Sequence, residues 1–299
     1  MSQALLQRIL SEAFLLQARK RNGELPDREI GFHASSAGSC IRRVICELMW
    51  KHRKPMADTV KNILDVGTLH HADADEAIRN FCKEQSEGKL IYIAPWRTYT
   101  FRKSMTEAFT AELGGDTITT ESIDYFAKDL ELMGVYGTPD LLLVLPEKET
   151  VFFADLKFTN ERSFGMKQKG NRSKNYELQI GTYLPSVERI LAQTDWSKFL
   201  REGHIVYFSN SNRETVVHSE RTNLLVSEAE TYWCRVARAM AQFCISNRDK
   251  LPDAIPEEKW QCNYCSLMEN NKACSVLTTA DQWLTFFQGT EPDLFKEES

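Results

Sequence analysis

Two apolar runs, Leu141 to Leu145 and Val151 to Phe158, are separated only by the turn Pro146-Glu147-Lys148-Glu149 and Thr150. Both runs are rich in β-branched, leucine and aromatic residues, the composition of a pleated, buried strand. A break this short can only fold the second run back beside the first, as an antiparallel hairpin. Such a hairpin must lie inside a core, yet it carries charge. Asp140 stands just before the first run, and Asp155 and Lys157 lie within the second. Side chains two apart on a strand share a face, about 7 Å apart along the backbone. The hairpin can therefore bring two carboxylates and one ammonium group together at its rim. Charged groups there need either a partner or a chemical task.

The remaining pattern organises around this hairpin. Leu5 to Lys20 reads as an amphipathic helix, and Ser35 or Ser36 can cap a second helix running to about Trp50. Thr59 opens a third helix, through Cys82. Strands are expected at Leu90 to Phe101, Ile118 to Phe126, Met133 to Leu145, His204 to Ser209 and Thr215 to His218. The polar, basic stretch Asn160 to Asn175, with two glycines, reads as a loop or lid. A helix to about Ala192 follows it, and Val226 to Ser246 forms a long helix. This order predicts an α/β fold with a mixed sheet flanked by helices, not a regular βαβ repeat. No glycine-rich nucleotide motif is present.

At 299 residues and 42% hydrophobic content, the chain can bury a large core. We expect one elaborated domain over residues 1–299. Within it, 1–85 would be a helical region, 86–220 the core, and 221–299 a C-terminal helix with a cysteine cluster. No run is long enough to span a bilayer. No small-residue cleavage site follows the first helix, so neither secretion nor a membrane partner is expected, and the cytoplasm is the expected location.

The carboxylate–lysine set suits a hard divalent cation, which takes oxygen ligands and leaves room for water and phosphate. Such a cation acidifies a bound water and neutralises charge on phosphorus. Lys157 could orient that water or offset charge in the transition state. Taken alone, Asp-x-Lys on a strand and Pro-Asp at a turn are ordinary structural features.

The net charge of −5 is not that of a simple nucleic-acid binder, so any DNA contact must come from local clusters. One is Arg42 and Arg43, with Lys51, Arg53 and Lys54. The other runs from Arg162 through Lys167, Lys169 and Arg172 to Lys174, with no acidic residue between its ends. A solvated surface run is the ordinary reading of such a segment.

Eight cysteines in a chain without a signal point to thiols or metal ligands, not disulfides. Cys262-x-x-Cys265 has metal-ligand spacing, and Cys274 adds a third thiolate. A fourth could come from Cys40, Cys46, Cys82, Cys234 or Cys244. The last two lie among apolar neighbours in a long helix and read as buried structural thiols. Spacing leaves Zn²⁺ and an iron–sulfur cluster equally open.

The Gly137-Thr138-Pro139-Asp140 and Asp155-Leu156-Lys157 stretches resemble the PD-(D/E)xK nuclease superfamily, and within it the RecB-like branch. Upstream, Gly67-Thr68-Leu69-His70-His71 is similar to the Gly-x-x-x-His helix of that branch. The spacing favours His71 over His70 as a metal ligand. Downstream, Gln179-Ile180-Gly181-Thr182-Tyr183 is similar to its Gln-x-x-x-Tyr motif, and i,i+4 spacing puts both side chains on one helix face. Ser36-Ala37-Gly38-Ser39-Cys40-Ile41-Arg42-Arg43 resembles the Ser-x-x-x-Cys-x-Arg-Arg segment of the Cas-four type iron–sulfur exonucleases, which include phage-borne members. The resemblance runs from about Ser35 to Cys274.

It implies a restriction-endonuclease-like core and a Mg²⁺- or Mn²⁺-dependent DNA exonuclease acting on single strands or strand ends. His71, Asp140, Asp155 and the Leu156 carbonyl would hold the cation. Lys157 would assist the attacking water, and Gln179 and Tyr183 would position substrate. Cys40, Cys262, Cys265 and Cys274 would hold a structural [4Fe-4S] cluster clasping the two ends of the chain. Protein partners in recombination or CRISPR adaptation are expected on the same ground. The rival readings are a nuclease-fold DNA-binding adaptor without chemistry and a zinc-stabilised nucleic-acid-binding protein.

Overall fold

In the computed structural model the described residues are 31–49, 71, 74–84, 88–96, 98–114, 133–210, 215–220, 222–245, 252, 261–262 and 265. The helix expected at Leu5 to Lys20, the strand expected at Ile118 to Phe126 and His70 lie outside them. The fold is mixed α/β, with two sheets and flanking helices.

The hairpin forms as its pattern requires. Strand β5 (Leu141–Leu145) pairs antiparallel with β6 (Thr150–Thr159), in register from Leu141↔Ala154 to Leu145↔Thr150. The turn is a short 3-10 segment, Pro146–Lys148, opened by the proline and closed by Glu149 in the left-handed region. Around the hairpin stand β2 (Ile91–Tyr92), β7 (Leu200–Ser209) and β8 (Thr215–Glu220). The order is β2-β5-β6-β7-β8, antiparallel except for β6 and β7, which run parallel over all ten residues. A second sheet orders β1 (Phe32–His33), β4 (Val135–Gly137) and β3 (Thr98–Thr100) side by side. The single strand expected at Leu90 to Phe101 is thus two short ones in different sheets.

A parallel pair needs a crossover. Here it holds α4 (Glu161–Gln168) and α5 (Lys174–Leu191). The stretch expected to be a loop at Asn160 to Asn175 is therefore mostly helix. Asn160 caps α4 by accepting a hydrogen bond from the Ser163 backbone, 2.9 Å away, and Phe164 anchors it to the core. Helices α1 (Ile41–Met49), α2 (74–84), α3 (Arg102–Leu113) and α6 (Thr222–Ile245) complete the described elements.

Helix α5 is buried on nearly every side, from Leu178 to Tyr183 without interruption. It lies against the large sheet and against α6, which also packs on α3. Gly181 makes the helix–helix approach possible: a Cβ there would stand 2.1 Å from the Leu225 carbonyl oxygen. Pro185 follows four residues later and cannot return a hydrogen bond to the Gly181 carbonyl. Trp233 of α6, fully buried, donates from Nε1 to Thr182 Oγ1 at 3.0 Å and locks the pair. One apolar core runs from Phe32 to Cys244, so the N-terminal segment, the hairpin and α6 share it.

Segments far apart in the sequence meet around residues 36–42. Tyr232 donates to the carbonyls of Ser36 and Ser39, at 3.1 and 2.8 Å. The Gln261 amide donates to the Gly38 carbonyl at 2.8 Å, and Arg42 Nε to the Pro252 carbonyl at 2.6 Å.

Candidate active site

Strand alternation sorts β6 into two faces. Ala154, Leu156 and Phe158 face a small apolar cluster that includes Ala74 and Ile78 of α2. Asp155 and Lys157 face the other way, toward α5. Asp155 is 2% exposed, and its Oδ1 accepts from the Gln179 amide at 2.8 Å and from the Tyr183 hydroxyl at 3.4 Å. Gln179 Nε2 also reaches the Tyr183 hydroxyl, at 2.6 Å. Lys157 Nζ lies 2.7 Å from Asp155 Oδ2 and donates to Gln179 Oε1 at 3.3 Å. Despite that ion pair, Asp155 Oδ2 is buried and accepts no well-formed hydrogen bond. The α5 stripe expected from i,i+4 spacing therefore lies directly over the Asp155 and Lys157 side chains.

Asp140 closes the group from the end of β5. Its Oδ2 accepts from the Leu156 backbone N–H at 2.7 Å. In a strand the N–H and C=O of one residue point to the same side. The Leu156 carbonyl therefore also points to the Asp140 side, beyond the last β5–β6 pair at Leu141↔Ala154. His71, just before α2, places Nδ1 3.6 Å from Asp140 Oδ2 and packs edge-on against Phe158.

The electrostatics follow from this crowding. Burial, then the neighbouring Asp155 charge, pushes the Asp140 carboxyl up from 3.8 to about 7. Burial alone would lower Lys157, but Asp155, Tyr176 and Asp140 outweigh it and hold the amine above its ordinary value. Burial, then Asp155 and Asp140, raises the Tyr183 phenol well above its usual range, so it stays a donor. Two carboxylates beside one ammonium leave a negative surplus. A divalent cation would balance it, and the oxygen donors fit Mg²⁺ or Mn²⁺. Among the described residues, no three or more His, Cys, Asp or Glu side chains already stand close enough together to hold a metal ion.

Three of the expected thiolate ligands lie on the segments these hydrogen bonds join. Cys40, Cys262 and Cys265 are half-buried, and Cys265 packs against the main core. The Gln261 and Arg42 hydrogen bonds flank them. Cys274 and the side chain of Cys46 lie outside the described residues. Cys244 is buried in the core and Cys234 packs against it.

The basic residues divide. Arg162, Lys169 and Arg172 are exposed, while Lys167 is half-buried with its Nζ 5.1 Å from the Tyr207 ring centre. Lys174 is held in ion pairs with Glu228 and, at 3.6 Å, Glu177. Arg42 is nine-tenths buried in its bond to Pro252, and Arg43 is half-buried. The two last-named arginines and Lys174 thus serve internal contacts or lie partly within the fold.

One residue of the group has no counterpart in the sequence reading. The Tyr176 ring lies 4.6 Å from Lys157 Nζ. The signal was present, since Tyr176 stands three residues before Gln179 and seven before Tyr183, one helical stripe.

No known family model matches the chain, and no curated protein does. Among solved structures, the Sulfolobus protein titled "Crystal structure of SSO0001" aligns over 88% of this chain and 95% of its own, at 14% identity and a TM-score of 0.46. The functional reading therefore rests on the side chains just described.

Proposed function

We propose that this protein is a metal-dependent DNA exonuclease with a restriction-endonuclease-like core. The observation that carries the reading is the convergence of Asp140, Asp155, Lys157, Gln179 and Tyr183. Asp140 and Asp155 would hold Mg²⁺ or Mn²⁺, with His71 and the Leu156 carbonyl beside them. When bound, the cation supplies an acidified water and neutralises charge on the phosphate. Lys157, kept protonated by its neighbours, donates a proton-bearing ammonium toward the charge that develops on phosphate oxygen. Gln179 fixes Asp155 and Tyr183 with one amide, so neither can rotate out of the site. Exposed Arg162, Lys169 and Arg172, next along the chain, would grip the DNA backbone.

The test is nucleotide release from end-labelled single-stranded DNA in Mg²⁺ or Mn²⁺, with and without chelator. Release that stops with chelator supports the reading. DNA bound but left intact in either metal would favour an adaptor instead.

Metal binding has a pH signature independent of cleavage. The Asp140 carboxyl sits near 7 when folded against 3.8 as a free group. A raised acid is destabilised when ionised, so metal-free stability falls as pH rises from about 4 to 7. A cation favours the ionised form. The rise in melting temperature caused by Mn²⁺ over chelator should therefore grow between about pH 6 and 8. An equal shift at both pH values would remove Asp140 from the ligand set.

We further propose that Cys40, Cys262, Cys265 and Cys274 hold a [4Fe-4S] cluster that clasps the chain ends. The hydrogen bonds from Gln261 to Gly38 and from Arg42 to Pro252 support the pairing of these segments. Phosphodiester hydrolysis transfers no electrons, so the cluster's role would be structural. Protein purified without oxygen should be brown and contain iron and sulfide, and Cys265→Ser should lose colour and melt lower. A colourless, zinc-loaded protein would overturn the cluster.

A further inference from the structure

Tyr176 and Lys157 meet although nineteen positions and helix α4 separate them. Lys157 carries a long, flexible stem, and an ammonium on such a stem loses rotamer freedom when fixed. Three groups surround its Nζ. Asp155 Oδ2 stands at 2.7 Å, Gln179 Oε1 at 3.3 Å and the Tyr176 ring centre at 4.6 Å. The first two are themselves part of the carboxylate network. Tyr176 adds an aromatic face to them and is itself half-buried.

The ring is held from behind. Tyr176 packs on Tyr207, with ring centres 6.3 Å apart, and Tyr207 is fully buried. Tyr207 is also the β7 partner of Lys157 across the parallel pair, so both project from the same sheet face. On its other contacts Tyr207 meets the Lys167 ammonium at 5.1 Å and the edge of His218 at 5.1 Å. His218 Nε2 pairs with the Lys167 carbonyl at 3.0 Å, so it must carry its proton on Nε2. Tyr176 thus rests on a packed aromatic base that also anchors α4.

We propose that Tyr176 is the positioning residue for Lys157: its ring face confines the ammonium to the site by a cation–π contact. An aromatic ring attracts an ammonium over its face within about 6 Å, and more strongly where water is excluded. The phenol oxygen is not required for this, only the ring. The inference rests on the nuclease reading for its kinetic consequence, but not for the contact itself.

The experiment compares Tyr176→Phe and Tyr176→Leu with the wild-type full-length protein. Tyr176→Phe should keep kcat within about twofold, because the ring remains. Tyr176→Leu should lower kcat about tenfold at unchanged KM for DNA. Independently of cleavage, an amine-acylating reagent should label Lys157 faster in Tyr176→Leu than in wild type at the same pH, read by mass spectrometry of the Lys157 peptide. Tyr176→Phe should label like wild type. Wild-type kcat and labelling in Tyr176→Leu would overturn the proposal, as would a Tyr176→Phe variant as impaired as Tyr176→Leu. A wild-type protein that cleaves no DNA would sink the nuclease reading and leave the labelling to decide the contact.

Discussion

Asp155→Ala is expected to lower DNA cleavage by at least about 10³-fold, the scale on which loss of one transition-state partner is felt, since it removes a carboxylate from the metal set as well. Asp155 is the residue on which the other groups converge. Gln179 and Tyr183 donate to its Oδ1, and Lys157 pairs with its Oδ2. Removing it frees all three at once. Asp155→Asn keeps the shape and removes the charge, and it should be nearly as inactive. Lys157→Ala should also be crippled, since it removes the ammonium that faces both carboxylates. Lys157 retains Asp140 as a neighbouring charge when Asp155 is gone, so the fold should survive. Nucleotide release and a thermal melt on the same samples check both halves. An Asp155→Asn protein that digests DNA at the wild-type rate would end the assignment.

Gly181→Ala should destabilise the protein although it replaces glycine inside a helix. On an exposed helix that change gains about 1 kcal/mol of propensity. Here the new Cβ would meet the Leu225 carbonyl oxygen at 2.1 Å, the Leu225 carbonyl carbon at 2.5 Å and Ala229 Cβ at 3.1 Å. The first two are backbone and cannot swing aside. The helices must separate, and overpacking of this kind costs about 1–3 kcal/mol or more. We expect the clash to win and the melting temperature to fall by about 5 °C. Cleavage should fall as well, because Gln179 and Tyr183 flank Gly181 and would move with α5. A higher melting temperature in Gly181→Ala would show that α5 and α6 do not meet as described.

The hairpin was legible because its signal is local: two apolar runs, a short break and period-two charge placement. Gln179 and Tyr183 were singled out by the resemblance, since i,i+4 spacing alone is ordinary on a helix. What escaped the sequence depends on partners. Strand β7 starts at Leu200, not His204, because β6 is there to pair with it along its whole length. Helix α4 was read as a loop because Gly165, Gly170 and its polar residues conceal a helix held by one cap and one buried side chain, Phe164. Asn160 ahead of Ser163 was a usable cap signal. Arg42 looked like a surface cation, and only the position of Pro252, far along the chain, turns it inward. Tyr176 was hidden in a basic stretch whose charges drew the reading.

The hydrogen bonds from Tyr232 to Ser36 and Ser39 have a consequence for how the chain is made. The first of them joins residues 196 positions apart. A ribosome adding about 5–20 residues each second would need roughly 10–40 seconds to cover that distance. Throughout that interval Phe32, Ala34 and Ile45, all buried in the finished protein, have no α6 to cover them. The nascent chain therefore carries this segment without its α6 cover until Tyr232 has been synthesised. A shortened chain ending before Tyr232 should collect in aggregates or on chaperones, while one reaching past Gln261 should leave the ribosome and close.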